Sequence, residues 1–256
     1  MKKRVLQSLN TLQKRLDDEV LSRNNVNELS IEKPDPLLIA SKYRDEYVAL
    51  ICALFSYGKA SSIVNFLQGI DFSLLNASET EIKEHFNTSY YRFQVSRDIQ
   101  ELFISLKRLK FETTLEALFM KGYEKESDVM HGIKEILTSI YDINRYHSKG
   151  YTFLLGKIPQ IPYQSAYKRW HMYLRWMVRS DHLDLGLWHK VSRKDLLMPL
   201  DVHTFHVGRN LGLIRRKTCD FKAVLELTEA LKQFDAQDPV KYDFALYRIG
   251  QEKIFL

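Results

Sequence analysis

At 256 residues, with 45% hydrophobic and 27% charged side chains, the chain has ordinary globular composition and enough length for one large domain or two small ones, which excludes a disordered, collagenous or coiled-coil protein. Its two cysteines, Cys52 and Cys219, cannot build a disulfide framework, a four-cysteine zinc site or a four-cysteine iron–sulfur cluster. The net charge of +6 is local: residues 1–128 carry 18 Lys and Arg against 19 Asp and Glu, whereas Arg145–Lys217 carries 14 against 4, a concentration that points to a polyanion such as nucleic acid.

Scarce glycine (10) and proline (6) favour helices over strands joined by tight turns. Val5, Leu9, Leu12, Leu16 and Val20 recur at three- and four-residue spacing and predict an amphipathic first helix. Asn24–Pro36 is polar and closes on Lys33-Pro-Asp-Pro, a loop. After Asp45, Tyr47–Phe55 is apolar on nearly every side and predicts a central buried helix, with Gly58 ending it and Ala60–Leu67 starting the next. Further helices are expected at about 78–86, 96–109, 113–121 and 128–146, with Ser78, Ser96 and Ser127 as N-caps. Lys149–Tyr163 is the clearest break. Beyond it helices are expected at about 165–179, 185–193, 201–211, 221–233 and 239–249, the last opened by Asp238-Pro239. The architecture is all-α. No apolar run approaches the roughly 18 residues of a membrane span, and Met1-Lys-Lys-Arg leads into an amphipathic pattern rather than a signal sequence; a cytoplasmic protein is expected.

Two segments carry candidate chemistry. In Ser165–Arg179, Ala166, Trp170, Tyr173, Leu174 and Met177 share one helical face, with Lys168, Arg175 and Arg179 on the other. That pattern suits a helix seated on a core and offering cations to phosphates. In Met198–Gly212, Asp201 stands where an N-cap belongs, and it opens a helix bearing Val202, Phe205, Val207 and Leu211. His203 and His206 share that helix with a spacing that permits a metal site with Asp201. No adjacent His-Asp pair accompanies them, and neither a metal nor a cofactor is expected.

Pro199-Leu-Asp-Val-His-Thr-Phe-His-Val-Gly-Arg-Asn-Leu-Gly-Leu213 resembles the segment bearing the catalytic aspartate of the HhH-GPD DNA glycosylase superfamily. The fullest likeness is to an uncharacterised bacterial family within it, through Lys168–Arg179, Pro199–His203 and Asp238–Leu246. The likeness covers roughly residues 40–250. It implies a two-lobed helical fold with a degenerate helix–hairpin–helix: a barrel lobe of about 43–183, and a second lobe joining 1–42 to 184–256. Lys168 and Asp201 would face each other across the cleft. Lys168 falls where bifunctional members place their Schiff-base lysine, and its 33-residue spacing to Asp201 is like that of the archaeal 8-oxoguanine glycosylases. Two departures stand out. Pro162–Lys168 has Ser165 and Ala166 where the DNA-gripping hairpin uses Gly-x-Gly, and the C-terminal cysteine cluster of endonuclease III is absent.

The resemblance implies a monomeric, nucleoid-associated glycosylase and AP lyase that takes duplex DNA with an oxidised purine. Lys168 would attack C1′ and Asp201 would stabilise the positive charge there. Ser165, Arg169, Arg175, Arg179, His203 and Arg209 would contact DNA. Trp170, Trp176 and Trp188 would supply the pocket for a base swung out of the stack. The alternative is a non-catalytic DNA-binding relative that has lost the hairpin.

Overall fold

A computed structural model describes residues 2–252, with side chains from residue 9 onward, so Val5 and the basic N-terminal tripeptide fall outside the described side chains. Among the described residues there are thirteen α-helices and no sheet. None of these helices is long and apolar enough to cross a membrane. The chain divides into two compact units, an inner one of Ile31–Ile161 and a terminal one joining Met1–Ser30 to Pro162–Leu256. The divisions thus fall after residues 30 and 161, where the resemblance implies 42 and 183. Lys168 and Asp201 consequently belong to the same unit.

The terminal unit opens with α1 (Lys2–Arg23). The inner unit follows with α2 (Leu37–Tyr43), α3 (Glu46–Leu54), α4 (Ala60–Gln68), α5 (Glu79–His85), α6 (Ser96–Glu112), α7 (Leu115–Tyr123), α8 (Val129–Ile143) and α9 (Lys149–Leu155). Its centre is α3, buried from Tyr47 through Leu54. Asp45 caps it, accepting from the backbone N–H groups of Tyr47 and Val48 at 2.8 and 3.0 Å. Ser78 and Glu81 form a reciprocal capping box on α5. The other two serines do not cap: α6 begins after Val95, and α8 is capped by Asp128. The predicted break at 149–163 contains a helix, because Ser148 caps α9 from outside, accepting from Tyr151 N at 2.8 Å.

The terminal unit resumes with α10 (Lys168–Val178), α11 (Val202–Asn210), α12 (Phe221–Lys232) and α13 (Asp243–Glu252). Residues 185–192 are not helical, and Arg193 only opens a short 3-10 turn, Arg193–Asp195. Their backbone instead returns to α10, with Leu185 N and Gly186 N donating to Trp176 O and Trp188 N to Met177 O at 2.8 Å. α1 is clamped onto this unit by Arg23, which reaches both oxygens of Glu252 at 3.0 and 2.8 Å, and by Tyr242, whose hydroxyl donates to Asp17 at 2.8 Å. α11 packs closely on α13, since a Cβ at Gly250 would stand 3.0 Å from Val207 Cγ2.

Candidate active site

Lys168 is the first residue of α10, and the turn before it is held without glycine. Phe221 N donates to Gln164 O at 3.1 Å, and the Tyr163 ring meets the Phe221 ring edge-on at 4.9 Å. The chain enters α10 through Tyr167 in the left-handed region, φ 45° and ψ 34°, a conformation that costs a bulky residue about 1–2 kcal/mol. Ser165 is exposed in this turn, and Lys168 and Arg169 are half-buried. The Lys168 Nζ lies 3.1 Å from the Met172 sulfur.

Asp201 is the N-cap of α11, as its sequence position requires, and its Oδ1 accepts from Thr204 N at 2.9 Å. Burial, reinforced by the charges of Asp201 and Asp220, pushes the thiol pKa of half-buried Cys219 up. Downstream, His203, His206 and Arg209 are exposed on α11, as is Val202, at 59%. Solvent-facing cations and imidazoles therefore follow directly after the Asp201 carboxylate. Among the described residues no three His, Cys, Asp or Glu side chains gather closely enough to hold a metal ion.

The third member of the site is one that its sequence position disguises. Asp243 is buried at the start of α13. Desolvation pushes its pKa up to about 6, Arg175 and Lys168 hold it down, and the Asp201 charge raises it. Asp243 thus feels the charges of both Lys168 and Asp201, which open α10 and α11 in the same unit. The available signal was its setting between Tyr242 and Phe244, both buried. His171 was missed as well. It is fully buried one turn from Lys168, neither ring nitrogen has a hydrogen-bond partner among the described residues, and burial drives its pKa down to about 3.

The arginines expected on an outward face are instead buried in an ion network. Arg175 donates from Nε to Asp184 at 3.1 Å and from Nη1 to Asp243. Arg179 donates from Nε to Asp238 at 3.0 Å and from Nη1 to Asp184 and, at 2.8 Å, to Asp181. Asp238 therefore pairs with Arg179 and makes no side-chain cap at 239. The physical reason is that α10 is buried from Trp170 to Val178. Cations there need carboxylates, and the loop and helix N-termini supply four. Arg175 and Arg179 are occupied in this way and are not presented to phosphates. Nor do the tryptophans form an open pocket: Trp170, Trp176 and Trp188 are only 3%, 0% and 2% exposed. Tyr173 packs edge-on against Trp188 at 5.5 Å, so these rings build the core beneath the site.

Comparison with known families matches residues 35–252 to a family described as a protein of unknown function (DUF2400). The match spans most of the chain, and the chain belongs to that family. No curated protein and no solved structure matches it. The assignment to the HhH-GPD superfamily is thereby overturned: the model that matches is that of DUF2400, and none of the comparisons shows a glycosylase family.

Proposed function

We propose that the chain is a DNA lyase that works through an amine, a glycosylase with AP lyase activity, with Lys168 as its nucleophile. The observation that carries this reading is that Lys168, Asp201 and Asp243 open three helices of one unit, with Asp243 in the electrostatic field of the other two. An amine beside ionisable carboxylates, partly withdrawn from water, is the equipment of Schiff-base chemistry. The Lys168 nitrogen would form a bond to C1′ of the sugar as the glycosidic bond breaks, with the departing base taking the bonding pair and a proton. Asp201, whose carboxylate caps α11, would stabilise the positive charge at C1′. The C1′–O4′ bond would next break, O4′ taking the bonding pair and a proton and leaving a protonated imine between Lys168 and C1′; loss of the now acidic C2′ proton would expel the 3′ phosphate and nick the strand. The exposed His203, His206 and Arg209 provide a surface for the adjoining phosphates.

Borohydride trapping tests this directly, on duplexes containing 8-oxoguanine or an abasic site. The wild type is expected to give a covalent adduct. Lys168→Gln should abolish it, and Asp201→Asn should slow base release by about 10²-fold, the usual cost of removing one electrostatic stabiliser. A wild type that traps neither duplex while binding DNA in a salt-sensitive way would replace this reading with a non-catalytic nucleic-acid-binding protein.

A further inference from the structure

Away from that site, the inner unit presents a turn whose construction is out of proportion to any packing role. Tyr91 and Gln94 exchange backbone hydrogen bonds at 3.1 and 2.9 Å, which makes Arg92-Phe93 the two-residue tip of a tight hairpin. Such tips are normally Asn-Gly, because the first residue must adopt positive φ. Here Arg92 adopts it, at φ 52°. The base of the turn is pinned on three sides. The Tyr91 hydroxyl donates to Tyr57 O at 3.0 Å, buried Gln94 donates to Gly150 O at 2.9 Å, and the Tyr57 hydroxyl donates back to Gln94. Gly58, at φ 106°, leaves the room Arg92 needs: a Cβ there would stand 2.6 Å from Arg92 Nη1.

The result is a preformed aromatic and cationic surface. The rings of Phe93 and Tyr57 are parallel within 8° at 6.2 Å, with the Arg92 guanidinium 5.6 and 5.7 Å from the two centroids. Phe153 meets Phe93 edge-on at 5.1 Å. Phe93, Phe153 and neighbouring Tyr90 are 59%, 44% and 67% exposed. Exposed aromatic area of this kind is costly in a globular protein unless something covers it.

The charge pattern says what kind of partner covers it. Three stretches of chain meet at the patch, and none contains an acidic residue: there is no Asp or Glu between Glu46 and Asp71, between Glu84 and Asp98, or between Asp142 and Asp181. Within the inner unit these same stretches carry Lys59, Arg92, Arg97, Arg145, Lys149 and Lys157, all exposed. Of the carboxylates close by, Asp98 is buried beneath the turn and held by Tyr146 and Ser148, and Glu101 is paired with Arg97, so flat aromatic faces with an arginine are what the surface presents, and they match the two recognisable parts of an unpaired nucleotide, its base and its phosphate. We infer that the Arg92-Phe93 turn is a stacking platform for unpaired nucleotides of a single-stranded nucleic acid. It rests on the inner unit alone and does not depend on the Lys168 chemistry.

The test uses the full chain and lesion-free 12-nucleotide single strands of DNA and of RNA, each carrying one 2-aminopurine whose fluorescence reports stacking. Wild type should bind with quenching and should weaken as salt rises. Phe93→Ala should lose affinity by about 5- to 100-fold, the range for one stacked base, while Phe93→Trp should retain it. Arg92→Gln should reduce the salt slope by about 0.7, as for one phosphate contact on a single strand. The DNA and RNA arms show which strand the surface takes. Phe93→Ala binding as tightly as wild type, wild type giving no quenching with either strand, or tighter binding to a blunt duplex than to both single strands would each overturn the inference. Because no lesion or borohydride is present, failure here is separable from failure of the lyase reading.

Discussion

α3 and α10 are buried to nearly the same degree, by opposite means. From Tyr47 to Leu54 α3 presents apolar groups in every direction, and its polar reaches lie at its first turn, where the Tyr47 hydroxyl donates to Thr113 O at 2.8 Å and Glu46 accepts from Leu115 N at 2.9 Å. Each large aliphatic side chain there contributes about 1.5–3 kcal/mol by leaving water. α10 is buried from Trp170 to Val178 with His171 and Arg175 among those residues and Arg179 at its end. Desolvating a guanidinium costs several kcal/mol, so α10 is stable in place only because each arginine is shared among carboxylates. The beginnings of the two helices differ as well. α3 starts on an Asp45 side-chain cap, whereas α10 starts on left-handed Tyr167 with no side-chain cap. Hydrophobic burial asks nothing of its neighbours beyond shape. Ionic burial requires particular partners, here from residues as distant as Asp238 and Asp243, and it leaves Asp243 shared between the network and Lys168.

That contrast can be broken most sharply at Arg175. Arg175→Met strands Asp243 in the interior, leaves Asp184 to Arg179 alone, and should cost about 3–5 kcal/mol in urea unfolding at pH 7; a loss under about 1 kcal/mol would mean the ion network does not hold α10. In α3, Leu50→Ala should cost about 3 kcal/mol through transfer and cavity alone, and unlike Arg175→Met its cost should not change between pH 4 and pH 7.

Titration separates the helices further. The folded-state pKa of His171 is lowered to about 3 from its ordinary 6.5. Its contribution is therefore present above 6.5 and lost as pH falls toward 3. Asp243 works the other way, raised to about 6 from 3.8: its contribution is full below 3.8 and lost as pH rises through 6. Between pH 4 and 6 the two oppose each other. The acid-side fall in Tm should flatten in His171→Phe and steepen in Asp243→Asn, each by up to about one proton in the linkage slope. Identical Tm profiles for all three proteins would show that neither group titrates differently on folding. The smallest expected effect is at the helix end, where Asp45→Ala should cost about 1 kcal/mol by uncapping α3, measured by the same urea titration.

Local rules account for what was legible in advance. Asp201 caps α11 because a short carboxylate before a helix satisfies the free N–H of Thr204, and Ser78 caps α5 with Glu81 three residues on for the same reason. Local rules also misled. Periodicity set Arg175 and Arg179 on a solvent face because hydrophobic patterning assigns charge outward. It has no means of seeing Asp184, Asp238 and Asp243 arriving from other segments. Ser127 looked like a cap, yet Asp128 takes that role while Ser127 adopts φ 52°. The stretch 185–193 looked helical, but the N–H groups of Leu185, Gly186 and Trp188 are claimed by the carbonyls of Trp176 and Met177. Of the candidate site, Lys168 and Asp201 were visible as residues, while Asp243 and His171 were not.

The sequence by itself determined the helical class, the central apolar α3, the Asp201 cap and the uneven placement of charge, because each follows from interactions within a few residues along the chain. Only the tertiary structure decided which charges are available. It buried Arg175 and Arg179 among carboxylates, brought Asp243 within the field of Lys168 and Asp201, and held Arg92 and Phe93 outward on a strained turn. The physical reason is that the electrostatic state of a side chain depends on its solvent and its partners, and both are settled by residues far away in the chain.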